Sequence, residues 1–372
     1  MSNRVSALRD HHIALGALPD SGEAVGLDNW NGMEVAWSYA TDPCDEHDAV
    51  REAAGLFDVS GLRKVKVTGP DALAVVDNMI TRDMTKIYPG KSAYGPVLLE
   101  NGHICDDAII ANNGDDGFMV VHGSGESMER LQESAAGKNV SIVLDDNLFD
   151  ISLQGPKSVD FLNEHTPMDL PGLEYFHHQE TTLFGNACTI SRTGYSGERG
   201  YEIFANAKEV VDIWEKILEN GKSIGIIPCS FGCLDKVRVE AALLFYPYDM
   251  TTENTPWEVG LGWAISKNGD YRGKDACAAA KGQEKINFGG VVVDSVEALS
   301  GGETLWHDGT EVGIINGPVW SHRMNKSLAL VHLKPEAASV GTKLEVKGDG
   351  VETTATVSSI PFHDPEKKQT HA

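Results

Sequence analysis

The 372-residue chain lacks the features that mark membrane, secreted and nucleic-acid-binding proteins. No stretch reaches the roughly 20 apolar residues that a transmembrane helix needs, and residues 1–12 lack the apolar segment of a signal peptide. Basic residues are scarce, since 31 Lys and Arg stand against 55 Asp and Glu, for a formal net charge of −24. Nucleic acids and anionic membranes would repel such a chain, so we expect neither as a partner. These absences favour a soluble cytoplasmic protein.

Metal and dinucleotide motifs are also missing. Of the six cysteines, the nearest pair, Cys229 and Cys233, has no second pair to complete a zinc site. We therefore assign no metal ligands and expect free thiols in a reducing compartment. No G-x-G-x-x-G follows a predicted strand near the N-terminus, so we expect no dinucleotide site within the chain.

The local patterns that are present predict both helices and strands. Residues 46–56 and 209–219 have apolar residues at helical spacing. The order strand, Gly-Pro, helix occurs twice, at Gly69-Pro70 and at Gly155-Pro156, which indicates an internal repeat. From about residue 286, short apolar runs separated by glycine predict a small antiparallel barrel or sandwich.

A chain of this length exceeds one ordinary hydrophobic core, so we expect several domains. The patterns predict an α+β fold in three parts. These are residues 1–150, residues 151–285 and a C-terminal β-barrel of residues 286–372. The residues from Phe362 onward are charged and polar, and we expect them to be frayed.

The block RTGYSGERGYE, from Arg192 to Glu202, is the most informative stretch. Its glycines permit positive φ and a close approach of the backbone to a flat ligand. The carboxylate of Glu202 can accept two hydrogen bonds from an amidine-like edge, such as the aminopyrimidine end of a pterin. Taken alone, the block suits a β-hairpin turn with an exposed carboxylate equally well.

Other blocks occur with it in a fixed order: ENGHICDDAII at 100–110, LQGP at 153–156, RVEA at 238–241, DM at 249–250 and TPWEVGLGW at 255–263. This series resembles the tetrahydrofolate-dependent aminomethyltransferase family, which comprises the T-protein of the glycine cleavage system and its folate-dependent demethylase relatives. The resemblance runs from about Glu46 to Phe362. It implies a three-part fold around a folate cavity, with tetrahydrofolate as co-substrate.

The resemblance also implies roles for individual residues. Asp107 matches the second aspartate of the family's DD strand, near the folate nitrogen that receives the one-carbon unit, although a capping role is the alternative. Glu202 matches the glutamate that pairs with the amino edge of the pterin. The other implied folate-binding residues are Tyr94, Tyr175, Phe176, Tyr195 and His122, the last standing where T-proteins usually have asparagine.

Departures from the family pattern bear on the donor. Leu234 stands where T-proteins have an arginine, and Gly61-Leu62 stands where they have His-Met. Such changes suit a paralogue closer to the demethylases, for example dimethylsulfoniopropionate demethylase. A methyl group leaves readily only from a sulfonium or a methylated ammonium, and aromatic faces attract such cations. We therefore expect Trp30, Trp257 and Trp263 to bind a small methyl donor.

The sequence thus predicts an enzyme that moves a methyl group from a small sulfonium or methylated amine to tetrahydrofolate. Three alternatives remain open. One is the T-protein itself, which takes an aminomethyl group from a lipoyl carrier protein and releases ammonia. Another is a non-catalytic folate-binding assembly factor for iron–sulphur proteins, whose K-G-C-Y-x-G-Q signature is missing here. The last is a domain detached from a dimethylglycine or sarcosine oxidising enzyme, working beside a flavoprotein.

Overall fold

A computed structural model of the chain describes residues 4–17, 27–348 and 350–372. None of the helices in these ranges is long and apolar enough to cross a membrane. The helices are α1 (Arg9–Ala14), α2 (Pro43–Glu52), α3 (Ala72–Met79), α4 (Ser127–Ser134), α5 (Ser158–Asn163), α6 (Ala207–Gly221), α7 (Phe231–Glu240), α8 (Lys274–Ala280) and α9 (Lys368–His371).

The strands before the barrel are β1 (Leu27–Trp30), β2 (Met33–Ala36), β3 (Ala54–Asp58), β4 (Arg63–Thr68), β5 (Ser92–Leu98), β6 (Ile104–Asn112), β7 (Phe118–His122), β8 (Ser141–Leu144), β9 (Leu148–Gln154), β10 (His178–Leu183), β11 (Asn186–Ser191), β12 (Gly200–Asn206) and β13 (Ile226–Pro228). Those of the barrel are β14 (Asn287–Val293), β15 (Thr304–His307), β16 (Thr310–Ser321), β17 (Lys326–Leu333), β18 (Lys343–Gly348) and β19 (Val351–Ser358).

The first sheet has five strands in the order β5-β6-β7-β4-β8. One face packs against α3 and α4 and buries Val67, Ile110 and Val120 of the sheet together with Val76 of α3. Because side chains alternate along a strand, the intervening residues of the same strands face the other way, toward the second sheet. The space between the two sheets is therefore where the chain can form a site.

The second sheet has six strands in the order β10-β11-β12-β9-β3-β13. The apolar face of α6 covers it, with Val210, Ile213, Trp214 and Ile217 all buried, as the helical spacing of residues 209–219 predicts. The predicted boundary between residues 150 and 151 lies inside β9, and β3 pairs with β9 in the same sheet. The first two predicted parts therefore share a sheet, and the three-part division stays a prediction.

Helix α2 begins earlier and ends earlier than the predicted helix of residues 46–56. Asp42 accepts a hydrogen bond from the Cys44 amide at 2.8 Å, and Pro43 occupies the first turn, which sets the start. The helix ends at Glu52, because Ala54–Asp58 pairs with β9 and β13 as the buried strand β3. Sheet pairing outweighs the helical pattern of those residues.

The last part of the chain closes into a six-stranded barrel in the order β14-β17-β16-β15-β18-β19. This confirms the predicted α+β fold with a C-terminal β-barrel. The repeated strand, Gly-Pro, helix order is also confirmed, with Gly69 and Gly155 both at positive φ, 120° and 141°. A side chain at Gly155 would lie 2.6 Å from the Ala53 carbonyl oxygen, so only glycine fits that turn.

The prediction of a frayed C-terminal segment was wrong. Ala372 accepts hydrogen bonds through its carbonyl oxygen from Arg192 Nη2 at 2.8 Å and from Arg199 Nη1 at 2.7 Å. Thr370 donates to the Gly197 carbonyl oxygen at 2.7 Å. The segment is therefore held against the RTGYSGERGYE block by its own backbone at Ala372 and by the Thr370 side chain.

Candidate active site

A cavity lies between the first and second sheets. Every second side chain of the strands that border it faces this cavity, as the pleat of a β-strand requires. The first sheet contributes Ser92, Ile109, Ala111, Met119 and Val121, and the second contributes His178, Thr189, Ser191, Thr193, Glu202 and Phe204. One wall is mainly apolar and the other mainly polar, which suits a flat heterocycle with hydrogen-bonding edges.

Glu202 is the charged group of this cavity. Its position on β12 places it opposite Ser152 of β9 and Ser191 of β11, and it is 9% exposed. Thr193 donates its hydroxyl to Oε2, and no donor in the described part of the chain reaches Oε1. Burial raises the pKa of Glu202. A buried carboxylate with an unused acceptor is suited to a ligand that brings N–H donors.

Of the three glycines in the RTGYSGERGYE block, Gly197 adopts the predicted positive φ, at 79°, whereas Gly194 and Gly200 have a different role. A side chain at Gly194 or Gly200 would lie 2.1 Å and 2.3 Å, respectively, from the Gln154 side chain. Gln154 donates to the Thr193 carbonyl oxygen at 3.1 Å and accepts from the Ser196 hydroxyl at 2.8 Å. These two glycines therefore make room for the buried amide that braces the block.

Asp107 lies on β6, two residues before the cavity-lining Ile109 and on the same face of the strand. Tyr94, on the neighbouring strand β5, donates its hydroxyl to Asp107 Oδ2 at 2.8 Å. Burial and then the neighbouring Asp106 raise the pKa of Asp107 to about 7, although the Tyr94 hydrogen bond opposes them. A carboxyl group that titrates near neutral pH can both donate and accept a proton.

The adjacent Asp106 points to the other face of β6 and has a structural role. It is fully buried, and its Oδ2 accepts from the Ser127 hydroxyl at 2.6 Å and the Ser127 amide at 3.2 Å. The same oxygen lies 3.0 Å from His122 Nδ1. The two carboxylates of the DD pair thus separate, because alternation directs Asp106 to the core and Asp107 to the face of the sheet that carries the cavity-lining Ile109.

The raised pKa of Asp107 has a consequence for stability. Its folded pKa of about 7 exceeds the ordinary value of 3.8, so its contribution to stability is present below that ordinary value and is lost as pH rises through about 7. The native chain therefore loses stability between pH 5 and pH 8, whereas Asp107→Asn does not. The free energy of unfolding of the variant, relative to that of the native chain, should rise by about 1–3 kcal/mol over this range. Chemical denaturation of both proteins at the two pH values measures this gain. An equal difference at both would contradict the raised pKa.

Two of the implied aromatic folate ligands, Tyr175 and Phe176, lie next to residues that line the cavity. Tyr175 and Phe176 make a T-shaped contact with ring centres 4.6 Å apart, and Phe176 has a φ of 59°. The backbone of Phe176 donates to Arg192 at 3.0 Å and accepts from Ser92 at 2.8 Å, which stabilises this unusual conformation. Burial, together with the charge of Glu202, raises the pKa of Tyr175, in keeping with its position near that carboxylate.

Tyr195, another implied folate ligand, lies in the packing around α7 and is not among the residues that line the cavity. Its hydroxyl donates to the Leu244 carbonyl oxygen at 2.5 Å, and burial raises its pKa well above the ordinary value. The ring packs against the apolar cluster that includes Phe57 and Leu234. Leu234, which replaces the family's arginine, is thus an apolar packing residue here.

The structure places His122 away from the other implied ligands. It follows Val121 on β7, and Val121 lines the cavity, so the His122 side chain points to the opposite face of the sheet. There it is buried against Asp106, and its Nε2 has no partner in the described part of the chain. The hypothesis that His122 contacts folate stays untested, and this position does not favour it.

The three tryptophans proposed to bind the donor lie in different surroundings. Trp263 is 63% exposed and stacks on Tyr94 with ring centres 6.1 Å apart. Trp257 donates to the Cys277 carbonyl oxygen at 2.7 Å and so packs against α8. Among the residues described, no two of these tryptophans make a ring contact. The structure therefore does not bring them together in one cage.

Trp30 belongs to an aromatic group that the sequence did not reveal. Its ring centre lies 5.4 Å from that of Phe231 and 6.3 Å from that of Phe245, and its buried Nε1 has no partner among the described residues. A side chain at Gly61 would lie 2.5 Å from the Trp30 ring. Trp30 therefore occupies space next to the position where the family has histidine.

A buried Lys64–Asp150 pair near Glu202 was also missed. Lys64 donates to the carbonyl oxygens of Ser60 and Leu62, both at 2.8 Å, and burial lowers its pKa to about 8. The Asp150 carboxylate has no hydrogen-bond partner in the described ranges, and burial and the charge of Glu202 raise its pKa well above the ordinary value. Both residues occupy the polar positions of their alternating strands, which are typical of a solvent-exposed face, so the sequence did not indicate that these groups are buried.

Comparisons with known proteins bear directly on these observations. Residues 22–269 match the GCVT N-terminal domain, and residues 288–364 match the glycine cleavage T-protein C-terminal barrel domain. The chain is 47% identical over 378 residues to a heme-dependent oxidative N-demethylase gamma subunit from Ectopseudomonas mendocina, covering 98% of this chain and 97% of the relative. It is 32% identical over 326 residues to an aminomethyltransferase from Bacillus subtilis, covering 86% and 90%.

A solved structure has the same fold. The glycine cleavage system aminomethyltransferase T from Bartonella henselae superposes with a TM-score of 0.88, covers 98% of this chain and 99% of that chain, and is 23% identical in sequence. The resemblance inferred from the motifs is confirmed by both domains and by the full-length relatives. The chain therefore belongs to the glycine cleavage T-protein (aminomethyltransferase) family, whose members are folate-dependent enzymes that transfer one-carbon groups.

Proposed function

We propose that this chain transfers a one-carbon unit from the N-methyl group of a small amine to tetrahydrofolate. The observation that supports it most directly is the hydrogen-bonded Asp107–Tyr94 pair, which lies on the same face of the first sheet as the cavity-lining Ile109 and Ser92, while Glu202 lines the cavity from the facing sheet. Asp107 can donate or accept a proton, and Glu202 can bind an amidine-like edge. Both tasks are needed when a pterin ring is held while its nitrogen reacts.

The residues of the cavity fit tetrahydrofolate. Glu202 has an unused acceptor oxygen for the aminopyrimidine end, while Ile109 and Met119 offer apolar surface to the flat ring. Tyr175 and Phe176 lie near Glu202 and can contact the part of tetrahydrofolate beyond the ring. When bound, tetrahydrofolate supplies nucleophilic nitrogens for the one-carbon unit. Asp107 then takes up or returns the proton that accompanies this transfer, and Tyr94 orients its carboxyl group.

For the donor, we propose an N-methyl carbon that arrives at the oxidation level of formaldehyde. The relative that is 47% identical over nearly its whole length is named the gamma subunit of an oxidative N-demethylase. By likeness, we infer that this chain works beside an oxidising partner that removes two electrons from the methylated amine. Formaldehyde and tetrahydrofolate then combine to methylenetetrahydrofolate and water, so no oxidant is needed in this chain.

Direct transfer of an intact methyl group is the second candidate. The stacked Trp263–Tyr94 pair and the Trp30–Phe231–Phe245 group favour it, since aromatic faces attract a sulfonium or methylated ammonium ion. In that case the methyl carbon bonds to the folate nitrogen, and the neutral sulfide or amine leaves with the electron pair. The product would be methyltetrahydrofolate.

Product analysis separates these candidates. We expect the purified chain to form methylenetetrahydrofolate from formaldehyde and tetrahydrofolate faster than the enzyme-free mixture, and to lose that gain in Glu202→Ala. Sulfonium, betaine and methylamine donors should give no methyltetrahydrofolate. An aminomethylated lipoyl carrier should give no ammonia, because Leu234 and the −24 charge do not favour an acidic carrier. Mass spectrometry resolves the two folate products.

Each other outcome contradicts the proposal in its own way. Methyltetrahydrofolate from an onium donor would support direct methyl transfer instead. Methylenetetrahydrofolate and ammonia from the lipoyl carrier, with no gain from formaldehyde, would restore the T-protein hypothesis. Folate binding without any transfer would favour a binding protein.

A further inference from the structure

A cluster of potential metal ligands lies away from the folate cavity, where α2 meets the barrel. His47 and Asp48 are on α2, and His322 is in the turn between β16 and β17. The two imidazole rings are in T-shaped contact, with centres 4.8 Å apart. We propose that His47, Asp48 and His322 bind one divalent transition-metal ion, with Zn²⁺ the best match to two imidazoles and a carboxylate.

The spacing of the ligand atoms supports this site. His322 Nε2 lies 2.9 Å from Asp48 Oδ1, and His47 Nδ1 lies 3.9 Å from the same oxygen. One ligand atom from each of the three residues falls within 4.8 Å of the others. Bonds of 2.0–2.1 Å at tetrahedral angles place ligand atoms about 3.3 Å apart. Small side-chain adjustments therefore suffice to accommodate an ion.

His47 is the strongest evidence for a ligand. It is 0% exposed, and its Nδ1 has no hydrogen-bond partner in the described ranges. Its Nε2 lies 2.8 Å from Glu240 Oε2, and that carboxylate is held by Arg51 at 2.8 Å and by the Ser321 hydroxyl at 2.7 Å. A carboxylate on one imidazole nitrogen leaves the other free for a metal, the common arrangement of metal-binding histidines.

The charges around the cluster permit a cation. The carboxylates of Asp48, Glu52 and Glu240 outnumber the guanidinium groups of Arg51 and Arg323. Arg323 donates to Asp48 at 2.7 Å but also to Glu52 at 2.7 Å. It can therefore stay on Glu52 when Asp48 binds the ion. The alternative is an ion-pair network without a metal, in which Arg323 and His322 pair with the Asp48 carboxylate.

An ion at this place would connect the barrel to the folate-binding region. Arg51, one turn after His47 on α2, donates to the Ser196 carbonyl oxygen at 2.8 Å and to Glu198 at 2.9 Å. Both residues belong to the RTGYSGERGYE block. Because His322 comes from the barrel and His47 from α2, the ion would fix these two elements against one another, with a structural rather than a catalytic role.

Metal titration of the full chain tests the proposal. After treatment with chelator, we expect Co²⁺ to give visible absorption bands at one ion per chain, and Zn²⁺ to displace it and raise Tm. Asp48→Asn and His322→Ala should each weaken binding by about 10-fold or more. His307→Ala is the matched control, since His307 Nε2 lies 3.7 Å from Asp308 on the surface, and it should bind as the native chain does.

Two results would overturn the metal site. One is a native chain that shows no stoichiometric binding. The other is an Asp48→Asn or His322→Ala variant that binds Co²⁺ as tightly as the native chain does. Asp48 and His322 are partly exposed, so both variants should fold, and metal-free Tm values check this. His47→Ala, at a buried position, is not needed for the decision.

Discussion

Asp107→Asn is expected to lower turnover by roughly 10²–10⁴-fold while the protein stays folded, the usual range for loss of an acid–base group. Asparagine keeps the size of the side chain and can still accept the Tyr94 hydrogen bond at Oδ1, but it cannot exchange a proton. The pKa of about 7 makes this exchange available to Asp107 at neutral pH. Initial rates with saturating tetrahydrofolate, together with Tm, measure both parts of the prediction.

Asp106→Asn is the matched control for this experiment. Asp106 is buried and binds Ser127 and His122, so its replacement should lower Tm. Asp107→Asn should therefore mainly lower turnover, whereas Asp106→Asn should mainly lower stability. Unchanged turnover and a large fall in Tm for Asp107→Asn would assign that residue a structural role.

Glu202→Ala is expected to weaken tetrahydrofolate binding by about 2–4 kcal/mol, or roughly 30- to 1000-fold in Kd. The physical reason is that the aminopyrimidine edge would lose a charged acceptor at a buried position. Calorimetric titration of the native chain and the variant with tetrahydrofolate gives the difference directly. Near-normal affinity would remove Glu202 from the site.

Glu198→Ala serves as the comparison for Glu202. Glu198 lies in the same block and is also buried, but its carboxylate is taken up by Arg51 at 2.9 Å and His363 at 2.7 Å. Its removal should lower Tm and change folate affinity little. Equal losses of affinity in the two variants would mean that disruption of the block, rather than a lost ligand contact, explains the Glu202 result.

The sequence by itself determined the elements that depend on neighbours along the chain. The apolar positions of 209–219 predicted α6, and the glycine-separated apolar runs after residue 286 predicted the barrel. The family was also recognisable, because the order of the motif blocks is a property of the sequence. Asp107, Tyr94 and Glu202 could be singled out in this way, although their roles stay predictions.

Only the tertiary structure decided which distant residues meet. It joined β3 to β9, sent His122 and Asp106 to the face of the sheet opposite the cavity, and filled the space beside Gly194 with Gln154. It also brought Lys64 and Asp150 together near Glu202. Local patterns report side-chain periodicity within one element. The face that a strand buries, and the charges that it meets there, depend on which strands pair with it, and those partners lie far away in the sequence.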